Sequence, residues 1–217
     1  MSVPRLIALF GALIAACMLS AAAVAQRHPP LQHVTIFGDS VAAALTWVPT
    51  ARAVIEKGNR VTLELHPCGR LATPGCISPP PPSVLASVKT LGRRIGPTAV
   101  VLIGYNDDPH IYAAGIDRVL RAMHERGVTQ VLWLTLRPVY GGRVSPQYLV
   151  TNSVIRGASH RFSWMTVVPW GAYSFPHRNW FGSDGIHFTA AGAVQFAIFV
   201  HRTLKSYGLT GPKNSKG

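Results

Sequence analysis

Two hydrophobic patterns alternate along this chain, and their alternation constrains the fold more than any other feature of the sequence. The first pattern is a short run of apolar and β-branched residues, which is typical of a strand. The second is an alanine-rich or helically spaced apolar segment, which is typical of a helix packed on one side. The strand pattern covers residues 34–37, 61–65, 99–103, 131–135 and 166–168, and the helix pattern covers 41–56, 83–91, 111–126, 148–160 and 189–207.

About five strand–helix repeats predict an α/β fold in which helices cover both faces of a mainly parallel sheet. The continuous apolar run at 99–103 supports this arrangement, because strands buried on both faces lack polar alternation. A chain of 217 residues with 48% hydrophobic residues is long and apolar enough for one such domain, which excludes a disordered protein. We therefore expect a three-layer α/β/α sandwich of about five strands, with ligands at the carboxyl ends of the strands.

The first 25 residues have the three parts of an export signal. Arg5 supplies a positive start, residues 6–16 supply an apolar stretch, and Ala23-Val24-Ala25 is a cleavage site before Gln26. We therefore expect a protein that is secreted or extracytoplasmic, in the periplasm or the cell wall.

Two alternatives stay open for this signal. Residues 6–25 carry no charge and are long enough to span a bilayer if they are retained. The sequence at 14–17 resembles a bacterial lipoprotein box, in which Cys17 would carry the lipid. In every case the folded domain is expected at residues 26–210, followed by a flexible basic tail at 211–217.

The chain is strongly basic, with 21 Lys and Arg against 8 Asp and Glu and a formal net charge of +13. Such a surface attracts polyanions. For an exported protein the expected polyanion is the cell envelope, and no nucleic-acid partner is expected. Arg137 and Arg178 could contact an anionic substrate, but on so basic a chain they are interpreted as ordinary residues of the exposed surface. Because acids are scarce, the position of each one is informative.

Two cysteines, Cys68 and Cys76, follow the export signal and lie close together in the sequence. In an oxidising compartment such a pair predicts a local disulfide, and two unpaired thiols are the alternative. Neither the spacing nor the neighbouring histidines supply the four ligands of a structural zinc site. We expect no metal and no cofactor.

Three short sequences stand out at the predicted sheet edge: Gly-Asp-Ser at 38–40, Gly-Tyr-Asn-Asp at 104–107 and Asp-Gly-Ile-His at 184–187. A serine hydroxyl becomes a good nucleophile when a neighbouring base accepts its proton. His187 can be that base, and Asp184 can orient its ring and stabilise the imidazolium. The asparagine of the second sequence can donate to a developing oxyanion. Together they predict serine-based acyl chemistry.

In this order and at this spacing, the three sequences resemble the catalytic blocks of the SGNH (GDSL-type) hydrolases. The resemblance covers nearly all of the exported chain, from Val34 to about Tyr207, with Gly-Asp-Ser-Val in place of Gly-Asp-Ser-Leu at 38–41. It implies a flavodoxin-like sheet and an ester hydrolase that needs no cofactor.

By this resemblance Ser40 is the nucleophile, His187 is its base and Asp184 is the acid that orients the base. The oxyanion hole would contain the backbone N–H of Ser40 and the carboxamide of Asn106. The family adds the N–H of a glycine after the second strand, and Gly69 is the best match for it in this chain.

Aromatic residues near these blocks predict a site for an acyl group or a sugar ring. We assign Tyr105, Trp180 and Phe181 to that site. The sequence at 131–137 and Asn152 also look like SGNH domains that process acyl groups on cell-wall glycans. The expected substrate is therefore a small ester or an acylated glycan.

Three functions remain open on this sequence. The leading hypothesis is an exported serine esterase that hydrolyses a short-chain O-acyl ester through an acyl-enzyme. A cell-wall glycan O-acetyltransferase would use the same residues, since only the acceptor of the acyl group differs. A non-catalytic binder of anionic envelope polymer is the third, but it has no chemical need for a complete triad.

Overall fold

The computed structural model describes residues 32–210 and has a parallel sheet of five strands at its centre. In chain order the strands are β1 (Gln32–Gly38), β2 (Asn59–Leu65), β3 (Thr98–Leu102), β4 (Gln130–Leu134), β5 (Val139–Tyr140), β6 (Arg143–Val144) and β7 (Met165–Val168). The sheet has the order β2-β1-β3-β4-β7, and β5 pairs with β6 in a separate hairpin.

Seven helices cover the sheet within the described residues. They are α1 (Ala44–Trp47), α2 (Pro49–Glu56), α3 (Val84–Leu91), α4 (Pro109–His124), α5 (Pro146–Ser159), α6 (Trp170–Ser174) and α7 (Ala190–Ser206). One apolar core lies under α3, α4 and α5 around Trp133, and a second lies under α1, α2, α6 and α7 around Trp170. The predicted three-layer α/β/α sandwich is therefore confirmed.

Local sequence explains where the longer helices begin. Four of them start with a side chain that accepts a backbone N–H of the first turn, which satisfies a donor that the helix leaves free. These residues are Ser83, Asp108, Ser145 and Thr189. Ser83 and Thr189 stand at positions where the sequence predicted the start of a helix.

The predicted helix over residues 41–56 is wrong as a single element. The chain forms α1 and α2 instead, separated at Val48, whose φ of −110° and ψ of 92° are extended. Pro49 is the cause, because proline disfavours a helical conformation in the residue before it and is well suited to the first turn of a new helix.

The sequence also did not predict the β5–β6 hairpin or α6, since each is too short to show a period. In the hairpin turn Gly141 and Gly142 have φ values of +56° and +76°, which a tight two-residue hairpin turn requires.

The predicted export signal, the lipid site at Cys17 and the tail at 211–217 lie outside the described residues. Among residues 32–210, no helix has the length and apolar character needed to cross a membrane.

Candidate active site

Ser40 lies two residues beyond β1, at the carboxyl end of the parallel sheet. Gly38 leaves no space for a side chain, since a Cβ there would lie 2.6 Å from the Cβ of Ala42. Asp39 turns the chain, because its Oδ1 accepts the N–H of Val41 at 3.0 Å. As a result Ser40 is partly exposed while the residues on both sides of it are buried.

Residues 181–188 form a tight loop whose two ends pair as a short antiparallel bridge. The N–H of Gly182 donates to the carbonyl of His187 at 2.8 Å, and the N–H of Gly185 donates to the carbonyl of Gly182 at 3.0 Å. Gly185 has a φ of +81°, a left-handed conformation that glycine adopts without strain. The loop therefore brings its acid and its histidine side by side.

Asp184, His187 and Ser40 are joined by consecutive hydrogen bonds. Asp184 Oδ2 lies 2.5 Å from His187 Nδ1, and His187 Nε2 lies 2.8 Å from Ser40 Oγ. Asp184 Oδ1 accepts the backbone N–H groups of Ile186 at 2.9 Å and His187 at 3.1 Å. When Nδ1 donates its proton to Asp184, Nε2 is the nitrogen that can accept the proton of Ser40.

The environment of Asp184 keeps its carboxylate charged. Burial alone raises the pKa of Asp184, but the hydrogen bonds from the His187 ring and from the two backbone N–H groups outweigh it and hold the pKa below its ordinary value. The His187 side chain is 46% exposed and that of Asp184 is 34% exposed, so water reaches the pair.

Helix α7 fixes the far end of the loop. Thr189 caps the helix by accepting the N–H of Gly192 at 3.1 Å, and its own N–H donates to the carbonyl of Trp180 at 3.0 Å. A Cβ on Gly192 would lie 1.8 Å from that same carbonyl oxygen. Only glycine therefore allows the helix to pack this closely against the chain before the loop.

Asn106 follows β3, which pairs with β1, so the two turns meet at one edge of the sheet. Its Nδ2 donates to the carbonyl of Gly69 at 3.3 Å, and its backbone carbonyl accepts from Arg70 Nε at 2.8 Å. A carboxamide has two N–H groups, so one stays available for an oxyanion. Within residues 32–210, the N–H of Ser40 is also free of any hydrogen-bond acceptor.

Gly69 does not fit the role of a third oxyanion donor, and that prediction is corrected. Its N–H donates to the carbonyl of His66 at 2.8 Å, which closes a turn in which Cys68 has a φ of +59°. A donor engaged by a carbonyl is not free to stabilise a developing charge. The disulfide between Cys68 and Cys76, with Cα atoms 5.2 Å apart, pins this turn.

The sequence of this chain matches no known family model and no curated protein. Solved structures do match it. An inhibitor-bound aryl esterase from M. smegmatis aligns with a TM-score of 0.62 at 14% identity, over 81% of this chain and 99% of that one. TesA aligns with a TM-score of 0.62 at 18% identity, over the same shares of the two chains. A carbohydrate esterase of family 3 from Talaromyces cellulolyticus gives 0.55 at 13% identity, over 81% and 97%. The chain has the SGNH-hydrolase fold.

Two further acids lie beside this site, and both are buried. Burial raises the pKa of Asp39 to about 7 and that of Asp107 to about 6. Both oxygens of Asp107 accept the N–H of Leu71, at 3.0 and 3.2 Å. In contrast, Oδ2 of Asp39 is buried without a hydrogen-bond partner among residues 32–210. These two acids shape turns and do not belong to the chain of hydrogen bonds at Ser40.

Two of the three predicted substrate residues lie elsewhere than expected. Tyr105 and Phe181 are each only 6% exposed and belong to the apolar core, so their assignment to a substrate site is corrected. Trp180 is half-buried, and its ring centroid lies 3.8 Å from that of His177 and 6.2 Å from that of Trp170. The nearly parallel stack with His177 covers part of its ring, and its role in a substrate site stays a prediction.

Sequence reasoning missed two features that contact the loop at 181–188. Arg137, interpreted as a surface residue, is only 3% exposed, whereas Arg178 is exposed as interpreted. The hairpin turn contacts the loop through Gly141, whose N–H donates to the carbonyl of Asp184 at 2.8 Å. The Gly-Gly pair flanked by β-branched and aromatic residues was a usable hairpin signal.

The cavity between α5 and α6 is not part of the triad site, and the described residues form no metal cluster. Among residues 32–210, no group of three or more His, Cys, Asp or Glu side chains could hold a metal ion. The cavity has a volume of about 230 Å³ and is lined mainly by apolar residues, including Leu136, Leu149 and Phe175. None of the triad residues lines it.

Proposed function

We propose that this chain is an exported serine esterase that hydrolyses a short-chain O-acyl ester through an acyl-enzyme. One observation supports the proposal most strongly: an unbroken chain of hydrogen bonds runs from Asp184 through His187 to Ser40. A serine within 2.8 Å of a histidine nitrogen, with an acid on the other ring nitrogen, is the arrangement that makes a hydroxyl nucleophilic.

In the first step the Ser40 oxygen bonds to the ester carbonyl carbon while its proton passes to His187 Nε2. The negative charge moves to the carbonyl oxygen, where the N–H of Ser40 and the carboxamide of Asn106 can donate to it. Asp184 stabilises the imidazolium formed at this point. The carbon–oxygen bond to the alcohol then breaks, and the alcohol leaves with the proton from His187.

In the second step water replaces the alcohol. His187 accepts a proton from water, the hydroxide oxygen bonds to the acyl carbon, and Ser40 leaves and recovers its proton. The partial exposure of Ser40 and the 46% exposure of the His187 side chain support water as the acceptor. The complete triad argues against a binding protein without activity.

Small esters and acetylated sugars are the substrate classes that we propose. The structurally similar proteins include an aryl esterase, a carbohydrate esterase of family 3 and an acetyl-xylooligosaccharide esterase. The exposure of the triad side chains suits a small substrate, since water and small molecules can reach His187 and Asp184.

Export rests on the signal-like residues 1–25, and the disulfide supports it because disulfides persist in oxidising compartments. Removal of the signal leaves a strongly basic chain, which would hold the enzyme near an anionic envelope. Raising the salt concentration should then weaken binding to isolated envelopes. Turnover of a small neutral ester should not change with salt.

An active-site-directed fluorophosphonate tests the proposed function. We expect one adduct, on Ser40, and loss of labelling together with ester hydrolysis in Ser40→Ala. Ser183→Ala is a matched control, because Ser183 is exposed in the same loop as Asp184. An adduct at Ser183, or hydrolysis by Ser40→Ala at the native rate, would contradict the assignment.

A second assay separates hydrolysis from acyl transfer. The protein is given an activated acetyl ester with and without short cell-wall oligosaccharides. We expect acetate as the main product in both cases. If most of the acetyl group appears on the sugar at millimolar acceptor, the protein is a transferase that uses the same triad.

A further inference from the structure

Arg137 is a buried cation without an acidic partner among the described residues. It lies three residues beyond β4 and is only 3% exposed. Its backbone N–H donates to the hydroxyl oxygen of Tyr105 at 2.9 Å, which fixes the main chain at this point. A buried charge without a counter-ion is costly unless its donors are hydrogen-bonded, so its contacts need an explanation.

The guanidinium of Arg137 donates to three backbone carbonyls from two separate segments. Nη1 donates to Gly185 at 2.7 Å, Nη2 to Phe175 at 3.1 Å and Nε to Ser174 at 3.4 Å. The charged group also lies over the ring of Phe181, 4.4 Å from its centroid. The planar fork of an arginine can make these divergent contacts at once, whereas the ammonium of a lysine cannot.

The shortest of these bonds falls inside the catalytic loop. Gly185 is the residue after Asp184, and its left-handed φ of +81° sets the direction of the chain toward His187. Its carbonyl is held by Arg137, and the carbonyl of Asp184 is held by Gly141 at 2.8 Å. The loop is therefore restrained from the β4 side at two successive peptide groups.

Arg137 is itself held in place by α5. The side chain of Asn152 accepts the N–H of Leu136 at 2.7 Å and donates to the carbonyl of Leu136 at 2.8 Å. This paired contact fixes the residue before Arg137. A connected set of hydrogen bonds thus runs from α5, through the segment after β4, to the loop that carries the acid and the base.

We propose that Arg137 is a positioning residue that holds Asp184 and His187 in register with Ser40. The expected change in kcat rests on the proposed esterase function, whereas the expected change in the pairing of Asp184 with His187 does not. Arg137 contacts neither the substrate carbonyl nor the reacting atoms in this proposal. It acts through the peptide group between Gly185 and Ile186, so its loss should lower kcat rather than raise KM.

Two substitutions and one control test this role. Arg137→Met keeps the length of the side chain and removes all donors, and Arg137→Lys keeps the charge but not the fork. Arg94→Met is the matched control, because Arg94 also donates to two backbone carbonyls, of Thr90 and Leu91, at the opposite end of the sheet. Active sites are counted with the fluorophosphonate so that kcat refers to folded enzyme.

We expect Arg137→Met to lower kcat per titrated site by about 10²-fold with little change in KM, the scale of an ångström-sized misplacement. Arg137→Lys should recover only part of this loss, and Arg94→Met should lose nothing. Unchanged kcat per site in both Arg137 variants would overturn the proposal.

A proton NMR experiment decides the structural part independently of activity. The proton between His187 Nδ1 and Asp184 Oδ2 should give a low-field signal in the native protein and in Arg94→Met. The signal should broaden or disappear in Arg137→Met. If it persists unchanged there, Arg137 does not position the pair. If the native protein hydrolyses no ester, the proposed function fails, while this comparison still decides the role of Arg137.

Discussion

The loop at 181–188 and the two turns at 38–40 and 104–107 hold their acids in opposite environments. In the loop, Asp184 is one-third exposed, its carboxylate accepts three hydrogen bonds, and these lower its pKa despite partial burial. In the turns, Asp39 and Asp107 are buried, and burial raises both pKa values. An acid within a catalytic motif is therefore not automatically a catalytic acid.

The two regions also differ in what holds them together. The side-chain hydrogen bonds of Asp184 reach residues no more than three positions away. The turn at 104–107 is held by bonds to Gly69, Arg70 and Leu71, which span 36 or 37 positions. The pairing of Asp184 with His187 thus follows from local contacts, although Arg137 and Gly141 also restrain the loop from outside. The arrangement around Asn106 forms only after segments distant in sequence have come together.

The largest expected effect tests the loop. Asp184→Asn should lower kcat by about 10⁴-fold, because an amide favours the wrong tautomer of His187 and no longer stabilises its charged form. Steady-state kinetics with an activated acetyl ester measure the loss. Asp108→Asn is the control, since Asp108 is an exposed helix cap. A loss of less than tenfold in Asp184→Asn would mean that the loop does not supply the acid.

The next effect tests the oxyanion side. Asn106→Ala should lower kcat by about 10²- to 10³-fold, the usual consequence of removing one oxyanion donor, with a smaller change in KM. Asn179→Ala changes an exposed asparagine near the catalytic loop and should leave kcat unchanged. Equal rates for Asn106→Ala and the native enzyme would remove Asn106 from the mechanism.

This contrast explains how much of the molecule could be predicted. The sheet and its layers follow from hydrophobic periods that are local in sequence, so five strands and the α/β/α order were predictable. The acid–histidine pair was predictable for the same reason, because Asp184 and His187 lie in one loop. The pairing with Ser40, 147 positions away, followed from the resemblance of motif order to the SGNH hydrolases.

The errors at the site concern contacts that sequence order does not encode, unlike the break in the helix at Pro49 and the Gly-Gly hairpin, which local sequence could have shown. The N–H of Gly69 is used by a local turn that only backbone geometry reveals. Tyr105 and Phe181 stand beside Asn106 and Asp184 in the motifs, yet their rings pack in the apolar core. Arg137 is polar and was assigned to the surface, although carbonyls from distant segments satisfy its donors.

A smaller effect tests whether the disulfide supports the oxyanion side. Changing both Cys68 and Cys76 to Ser should lower the free energy of unfolding by about 2–3 kcal/mol, since the bridge closes a short loop. The carbonyl of Gly69 contacts Asn106, so kcat should also fall, but by less than in Asn106→Ala. Urea unfolding and titrated kinetics measure the two quantities. A stability equal to that of the native protein would show that the bridge does not restrain the unfolded chain.

The smallest expected effect, counted per pH unit, is on the free energy of unfolding. It allows a direct comparison of the buried acids with Asp184. Asp39 has a folded-state pKa of about 7 and an ordinary value of 3.8, so the folded protein keeps a proton that the unfolded chain has lost between these values. Stability should therefore fall as the pH rises from about 4 to about 7, by at most about 1.4 kcal/mol per pH unit for this group. Asp107 adds a further decline in stability, which ends as the pH reaches its folded-state pKa of about 6.

Asp184 contributes in the opposite direction and in a different range. Its lowered pKa stabilises the folded protein above the ordinary value of 3.8, and that contribution is lost only as the pH falls further. Between pH 5 and 7 the contribution of these acids to the slope thus comes from Asp39 and Asp107. Asp39→Asn cannot release a proton, so urea unfolding at several pH values should show a flatter dependence, most clearly between pH 6 and 7. Asp117→Asn, which changes a partly exposed acid paired with Arg161, should keep the native slope. A native slope in Asp39→Asn would show that Asp39 is already ionised in the folded protein, and the contrast between loop and turns would then be wrong.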